Sequence, residues 1–364
     1  MKIRIIYAVI FLPIIFLLIS HAQRQNKNEV KINREIPVEV KRLSERVLIL
    51  TDVSPNGVVT AVSTDKGIIV IDTGVSWSFG KGFRRIIEHE FNRNGILYVI
   101  NTHADRDHTF GNQAFEEALI VGHKKCLISL QNLQKEWDIK KEEYISLHKG
   151  RAEKSRKELQ EIDIKTDQAA VIRRSISANN LIASDLTSGQ EIILPQITFT
   201  DRMTIYCGDI TLYLYYLGEG HSDCDILIHV PQENLIIVGD AFIKSILICY
   251  MKQNKFDMAR YLEVLNSVFH DKTQIKYIVC GHGPMMTSEE LLARRDYLDS
   301  ILKVIKKGYT DGLDLETVIQ QLPIDNISYL THLLGKNSTE LIDQHVQIIG
   351  KYWKFLNDSE PSKN

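Results

Sequence analysis

His103-Ala104-Asp105-Arg106-Asp107-His108 places two imidazoles and two carboxylates within six residues. The segment directly follows Ile96-Leu-Tyr-Val-Ile-Asn-Thr102, an apolar, β-branched run that reads as a buried strand. Where a strand gives way to a loop, several side chains can turn toward one point; a continuing strand would send alternate ones to opposite faces. Four nitrogen and oxygen donors converging in this way suit a metal site, with room for two cations. The plain alternative, a solvated polar loop, leaves the pattern further along the chain unexplained.

Three more ligand-type residues recur in matching contexts. His221 lies in Gly218-Glu-Gly-His-Ser-Asp-Cys-Asp225, after the strand-like Ile210-Thr-Leu-Tyr-Leu-Tyr-Tyr-Leu217. Asp240 ends Asn234-Leu-Ile-Ile-Val-Gly-Asp240, and His282 lies in Tyr277-Ile-Val-Cys-Gly-His-Gly-Pro284. Four times an apolar run stops and a His or Asp follows.

Taken in order, His103-x-Asp105-x-Asp107-His108, Gly220-His221, Gly239-Asp240 and Gly281-His282 resemble the metallo-β-lactamase-fold hydrolases. Ile68-Ile-Val-Ile-Asp-Thr-Gly74 is similar to the Asp-Thr-Gly turn after the second strand of the same superfamily. The resemblance runs from about Glu39 to about Met286 and says little about substrate. It implies an α/β fold of the αββα type: two mixed sheets face to face, helices outside, and a dinuclear metal site at one edge. It further implies that His103, Asp105 and His221 hold one metal, that Asp107, His108 and His282 hold the other, and that Asp240 bridges them. Asp105 is the departure, since the commonest family pattern has His there. A carboxylate makes that site harder and more anionic, which favours iron or manganese more than three histidines do, while zinc still suits the set. The reaction implied is metal-assisted hydrolysis without a covalent enzyme intermediate, with Asp107 orienting the attacking water and shuttling a proton.

Length and composition are compatible with a secreted enzyme. The 364 residues, 44% hydrophobic and 25% charged, suffice for one large core with extensions. A net charge of −2 argues against a broad nucleic-acid-binding face. At the N-terminus, Lys2 and Arg4 precede the apolar Ile5–Ile19, and Ser20-His21-Ala22 offers small residues before a cut ahead of Gln23. That is the layout of a secretory signal peptide at 1–22, which predicts secretion or a periplasmic location. The apolar stretch is short for the ~20 residues of a spanning helix, so an uncleaved N-terminal anchor is the alternative. A flexible lead follows at 23–38. Cys126, Cys207, Cys224, Cys249 and Cys280 are scattered and odd in number, unlike a disulfide framework. Cys224, three residues past His221, reads as a small packed residue rather than a ligand.

Within the domain expected at 39–286, the segment of about 123–195 turns polar and helical, as in Leu130 to Glu143 and Ala152 to Ile164. It stands between the two metal-binding halves, which leaves two placements open: a lid over the cleft, or a helical hairpin packed elsewhere. A helical extension is expected at 287–358, with one stripe over Leu291 through Val304 and another formed by Leu341, Ile342, Val346, Ile349, Trp353 and Leu356, before a polar tail at 359–364. His123 reads as a satisfied surface histidine. Lys244, four residues past Asp240, is a candidate for binding a substrate carboxylate. Asp72 reads as structural, closing its turn and steadying the ligand loop.

The reading is a secreted or periplasmic hydrolase with two divalent ions, zinc first, acting on a small amide, lactone or ester, β-lactams included. A phosphodiesterase of the same fold is the alternative. A diiron redox protein and a non-catalytic binding protein come from other classes. The first is weakened by the lack of a flavin-binding region, and the second by the complete ligand set. Oligomeric state is not legible in the sequence.

Overall fold

Alternation along the strands decides the layers. Leu48 and Leu50 pack with Val59, Ala61, Ile68 and Val70 on one side of a sheet, while Val47, Ile49, Val62, Ile69 and Ile71 pack on the other. Both faces are apolar, so both must be covered. A computed structural model of the chain shows how. It describes residues 30–31, 37–52, 57–244, 246–249, 251–269, 274–322 and 338–359. The expected signal peptide at 1–22 lies outside the described residues, as do most of the lead and residues 360–364 of the tail. Among the described residues no helix is long and apolar enough to cross a membrane.

The first sheet has eight strands in chain order: β1 (Val30–Lys31), β2 (Pro37–Arg42), β3 (Val47–Asp52), β4 (Val58–Ser63), β5 (Ile68–Ile71), β6 (Ile96–Ile100), β7 (Leu119–His123) and β8 (Ile197–Phe199). β1 to β5 pair antiparallel; β5 to β8 pair parallel. The second sheet is ordered β13 (Tyr277–Cys280), β12 (Leu235–Gly239), β11 (Asp225–Val230), β10 (Ile210–Gly218) and β9 (Arg202–Cys207), with β12–β13 its parallel pair. Val47, Ile69 and Ile100 from the first sheet meet Leu212, Ile228 and Ile237 from the second in a buried layer between them. Outside the first sheet, α1 (Trp77–Glu90) buries Phe79, Phe83, Ile86 and Ile87. Outside the second, α6 (Met258–Val268) and α7 (Ser288–Thr310) cover Leu227, Ile236 and Ile278. The result is the expected αββα order. Each fully buried Leu, Ile or Phe contributes roughly 1.5–3 kcal/mol of transfer free energy.

Between β7 and β8 the chain forms α3 (Lys124–Lys135), α4 (Trp137–Gln160) and α5 (Asp167–Ser188). The helix expected across Leu130 to Glu143 is broken at Glu136, where α3 ends and α4 begins. The apolar spacing runs through that break, so periodicity alone conceals it. The insert is fastened to the sandwich by a buried carboxylate: Asp185 of α5 accepts Ser76 Oγ (2.5 Å), Ser78 Oγ (2.7 Å) and the Ser78 backbone N–H (2.9 Å). It thereby caps the N-terminus of α1, where negative charge is favoured.

The extension supplies α7, α8 (Leu315–Gln320) and α9 (Ser338–Ser359). The buried face of α9 is Leu341, His345, Ile348, Ile349, Tyr352 and Leu356, whereas Val346 is 39% exposed. The expected stripe thus rotates slightly, because His345 takes an inward place by bonding its Nδ1 to the Tyr297 hydroxyl at 2.6 Å.

Candidate metal centre

Each expected ligand sits just past a strand end on one edge of the sandwich. After β6, the chain enters α2 (Arg106–Thr109), a single turn whose His108 and Thr109 N–H groups bond back to Asp105 O, both at 3.1 Å. That turn gathers Asp105, Asp107 and His108. His221 follows β10, Asp240 follows β12 and His282 follows β13.

The seven side chains form two donor groups. His103, Asp105, His221 and Asp240 make one, and Asp107, His108 and His282 the other; within each group all donor atoms lie within 4.8 Å of one another. Asp105 Oδ2 is 3.0 Å from His221 Nε2 and 3.3 Å from His103 Nε2. Asp107 Oδ2 is 3.1 Å from His282 Nε2. Asp240 lies between both groups: its Oδ2 is 3.4 Å from His221 Nε2 and 3.3 Å from His282 Nε2, and its Oδ1 is 3.5 Å from His108 Nε2. Asp240, His103 and His108 are buried; Asp105 and Asp107 are about a quarter to a third exposed, at 26% and 30%. The edge of the site that faces solvent is therefore formed by these two carboxylates and the partly exposed His282 imidazole.

Residues behind the ligands fix which ring nitrogen faces inward. The Asp72 carboxylate accepts the Thr102 backbone N–H, the Thr102 hydroxyl and His108 Nδ1, each at 2.8 Å. Thr102 Oγ1 has spent its proton on Asp72, so it accepts from His103 Nδ1 at 3.0 Å. Both rings are left to offer Nε2 lone pairs to the centre. Around His221, Asp225 accepts the Ser222 N–H at 3.0 Å, the Ser222 hydroxyl at 2.5 Å and the Tyr261 hydroxyl at 3.2 Å. Close packing leaves no slack: a Cβ on Gly281 would stand 2.1 Å from Asp240 Oδ1.

The electrostatics are those of a cation site. Burial opposes charge on every ligand, yet Asp240, Asp72 and Asp107 outweigh it and raise the His108 pKa to about 9. Burial is overcome in the same way at His282, which Asp240 and Asp107 raise to about 11. The imidazoles in turn hold Asp105, Asp107 and Asp240 well below the usual carboxylate range against the effect of burial. His103 Nε2 and Asp240 Oδ1 are buried without a hydrogen-bond partner, which is costly unless something positive lies between such donors. The nitrogen and oxygen donor set, the convergence and the two orphaned atoms all fit metal ions.

Several residues near the site carried no sequence signal. Lys252 Nζ pairs with Asp105 Oδ2, and the Lys252 N–H donates to His221 O at 3.1 Å. Lys244 instead lies 3.1 Å from Glu290 Oε1. Nothing in the run Met251-Lys-Gln-Asn-Lys255 distinguishes Lys252, because its placement depends on the fold of the loop after Asp240. The insert also reaches the ligand turn. Phe110, two residues past His108, packs against Trp137 and Tyr144 of α4, with ring centroids 5.5 and 6.3 Å away. The Arg106 guanidinium stacks on the Tyr144 ring at 3.9 Å. His148 and Arg151 follow Tyr144 on one helical face. Burial and the nearby Arg106 charge lower the Arg151 pKa, against the pull of Asp107. Among the described residues neither guanidinium has an ion-pair partner.

The other singled-out residues lie elsewhere. His123 stacks on Tyr216 at 3.9 Å, and its Nε2 meets Thr200 O at 3.0 Å. All five cysteines are free and buried, and Cys224 belongs to neither donor group.

A sequence model described as the metallo-beta-lactamase superfamily matches residues 53–282, more than half of the chain. A metallo-beta-lactamase type 2 of Bacteroides fragilis is 27% identical over 113 residues, a match that spans 29% of this chain and 42% of that relative. Among solved structures, the stereoselective inverting sec-alkylsulfatase Pisa1 from Pseudomonas sp. shares the fold at 11% identity, with a TM-score of 0.56 over 90% of this chain and 52% of that one. A metallo-beta-lactamase from Pontibacter korlensis aligns at 18% identity and a TM-score of 0.45, covering 72% of this chain and 98% of that one. Sheet order, ligand spacing and family match agree: the chain belongs to the metallo-beta-lactamase superfamily, a family of hydrolases.

Proposed function

We propose that this protein is a secreted or periplasmic metal-dependent hydrolase of a small amide, lactone or ester, with residues 39–286 as its catalytic domain. The observation that carries the reading is Asp240, buried between four imidazoles with one oxygen unpartnered. Two divalent ions, zinc by the mixed imidazole and carboxylate set, would be held by His103, Asp105 and His221 and by Asp107, His108 and His282, with Asp240 common to both. When bound, such ions supply the positive charge that activates water and polarises the scissile bond.

The chain's own groups do the rest. Asp107, part-exposed at the rim, would orient the water and pass its proton on to the leaving group. Asp72 and Thr102 keep the His108 and His103 rings in register. Burial raises the pKa values of the Cys249 and Cys280 thiols, Cys280 to about 12, and the neighbouring Cys126 thiol together with burial raises that of Cys224. None of these is a ready thiolate, which supports direct attack by water over a covalent enzyme intermediate.

A second reading, a phosphate or sulfate ester, is favoured by the unpaired Arg106 and Arg151 beside the ligand turn, since guanidinium forks suit tetrahedral oxyanions. Two measurements test the proposal. Metal content by mass spectrometry, on protein purified without added metal, is expected to give about two zinc ions per chain, falling toward one in Asp105→Ala. Two irons would favour a redox protein instead. A panel of nitrocefin, a lactone, a thioester and bis-nitrophenyl phosphate then separates the acyl reading from the ester-of-oxyanion reading; inactivity of the metal-loaded protein on all acyl members defeats the first.

A further inference from the structure

Between Asp240 and α6 the described residues 241–244, 246–249 and 251–257 are gripped at several points by the C-terminal extension. Gln344 Oε1 of α9 accepts the Leu247 N–H at 2.7 Å. Lys351 Nζ donates to Met251 O at 2.5 Å and to Gln253 O at 2.8 Å. Lys255 pairs with Asp358 at 3.1 Å. From α7, the fully buried Arg294 donates to Lys244 O (2.9 Å) and Ile246 O (3.1 Å). These contacts hold the described part of the loop against α7 and α9.

Between that loop and α9 lies a cavity of about 300 Å3. Ile246, Ile248, Cys249 and Met251 line it from the loop, and Ile348 lines it from α9. Among the described residues no aromatic ring lines it; the apolar part of the wall is three branched aliphatics and two adaptable sulfur side chains, which suit a flexible aliphatic chain, and Lys252, Gln344 and Gln347 make up the polar part. Gln344 and Gln347 add amide groups, and among the described residues the Gln344 amide nitrogen and the whole Gln347 side chain have no hydrogen-bond partner. The volume is at the small end for ligand sites, enough for one substituent rather than a whole large ligand.

The cavity adjoins the metal centre. Lys252 lines it and also pairs with Asp105. Cys249, at its inner side, is close enough to Asp240 and Asp225 that their charges join burial in raising its thiol pKa. A molecule seated here therefore has one end among aliphatic side chains and the other beside the ligands, with a lysine cation at the junction. The α9 wall lies beyond residue 282, outside the span that matches the superfamily, so this pocket is a feature of this chain's extension.

We propose that this cavity is the subsite for an aliphatic substituent of the substrate, a straight acyl or alkyl chain of several carbons, with Lys252 receiving the oxygen-bearing end next to the metal ligands. The inference rests on the hydrolase reading for its reaction, but its binding half does not.

The test has two arms on the zinc-loaded full chain. In the first, kcat/KM is measured for nitrophenyl acetate, butyrate, hexanoate and octanoate. Each buried methylene is worth roughly fourfold, so octanoate is expected to exceed acetate by on the order of 100-fold once part of the chain stays in solvent. In the second, octanoate and acetate binding is followed by calorimetry. Two variants fill the cavity: Ile348→Trp from its wall and Gln347→Trp from its exposed rim. The second keeps the test alive if the first fails to fold, with metal content and melting temperature as controls. The octanoate-to-acetate ratio is expected to fall at least tenfold in the variants, together with octanoate binding. No hydrolysis of any ester, but octanoate binding that Gln347→Trp abolishes, would sink the hydrolase reading and leave the subsite standing. The subsite is overturned by a flat chain-length profile without octanoate binding, by absence of both activity and binding, or by a steep preference that both folded variants retain.

Discussion

Replacing Asp72 by Asn perturbs the metal centre without touching a ligand. Asn tolerates the left-handed backbone at this position (φ 57°), so the turn survives. The amide keeps one oxygen, which can still accept the Thr102 N–H. Its nitrogen then faces two donors, the Thr102 hydroxyl and His108 Nδ1–H, where a carboxylate oxygen accepts both at 2.8 Å. His108 escapes that clash by moving its proton to Nε2, the atom aimed at the centre, or by turning its ring. Loss of such an orienting carboxylate costs about 10- to 100-fold in metal affinity, or about 1.4–2.7 kcal/mol. The effect is expected to be uneven. The group of Asp107, His108 and His282 loses its oriented ring directly, while His103 loses only the polarisation relayed through Thr102. Competition against a chromophoric zinc chelator at pH 7.5 should show one step weakened by that amount and the other by less than about threefold. Equal weakening of both steps, or no weakening, in a variant with unchanged far-UV circular dichroism would refute the assignment of Asp72 as the group that orients His108.

Other outcomes follow from specific contacts. Gly281→Ala should lose most bound metal while folding normally, because the new Cβ meets Asp240 Oδ1 at 2.1 Å and must push the shared carboxylate aside; elemental analysis reads it, and full metal content would contradict the packing. His148 is buried beside α5, and burial foremost, helped by Arg151 and Arg106, lowers its pKa to about 4 from an ordinary 6.5. The folded state therefore favours the neutral ring, so this contribution is complete above pH 6.5 and is lost as pH falls toward 4, reaching about 2 kcal/mol by pH 5. Urea unfolding of the wild type and His148→Gln across pH 7.5 to 4.5 should show that the variant lacks this part of the acid slope; parallel curves would contradict it. Lys351→Met should cost about 1–3 kcal/mol by leaving Met251 O and Gln253 O without their donor, and should raise proteolysis within 241–257 before elsewhere.

The candidate ligands were legible because chemistry and position coincide in them: His103, His221, Asp240 and His282 each come after an apolar run, and strand ends on one sheet edge are where such residues meet. The layers were expected from the family resemblance; Val47 to Leu50, apolar at every position and so in need of cover on both faces, is the local pattern that agrees with them. Lys252 was not legible, because a lysine in a polar loop looks the same whether it meets solvent or Asp105. The break at Glu136 was hidden by continuous helical spacing. The face of α9 was misplaced at Val346 because His345 is polar by composition yet inward by partnership with Tyr297. In each case the deciding partner lies far along the chain.

That separation of partners also bears on how the protein comes to be folded and how long it stays so. Four of the candidate ligands stand at the edge of the eight-stranded sheet, and three at the edge of the five-stranded sheet. Neither half of the chain can complete an ion's shell by itself, so tight capture waits until the two halves have docked. Bound metal would then act as a cross-link installed last, one that closes a loop of well over a hundred residues without any covalent bond. Free ion at a thousand times its dissociation constant adds about 4 kcal/mol to the folded state. The supply of the ion would thus set the lifetime of this molecule as well as its activity, and starvation for it would mark idle copies for degradation.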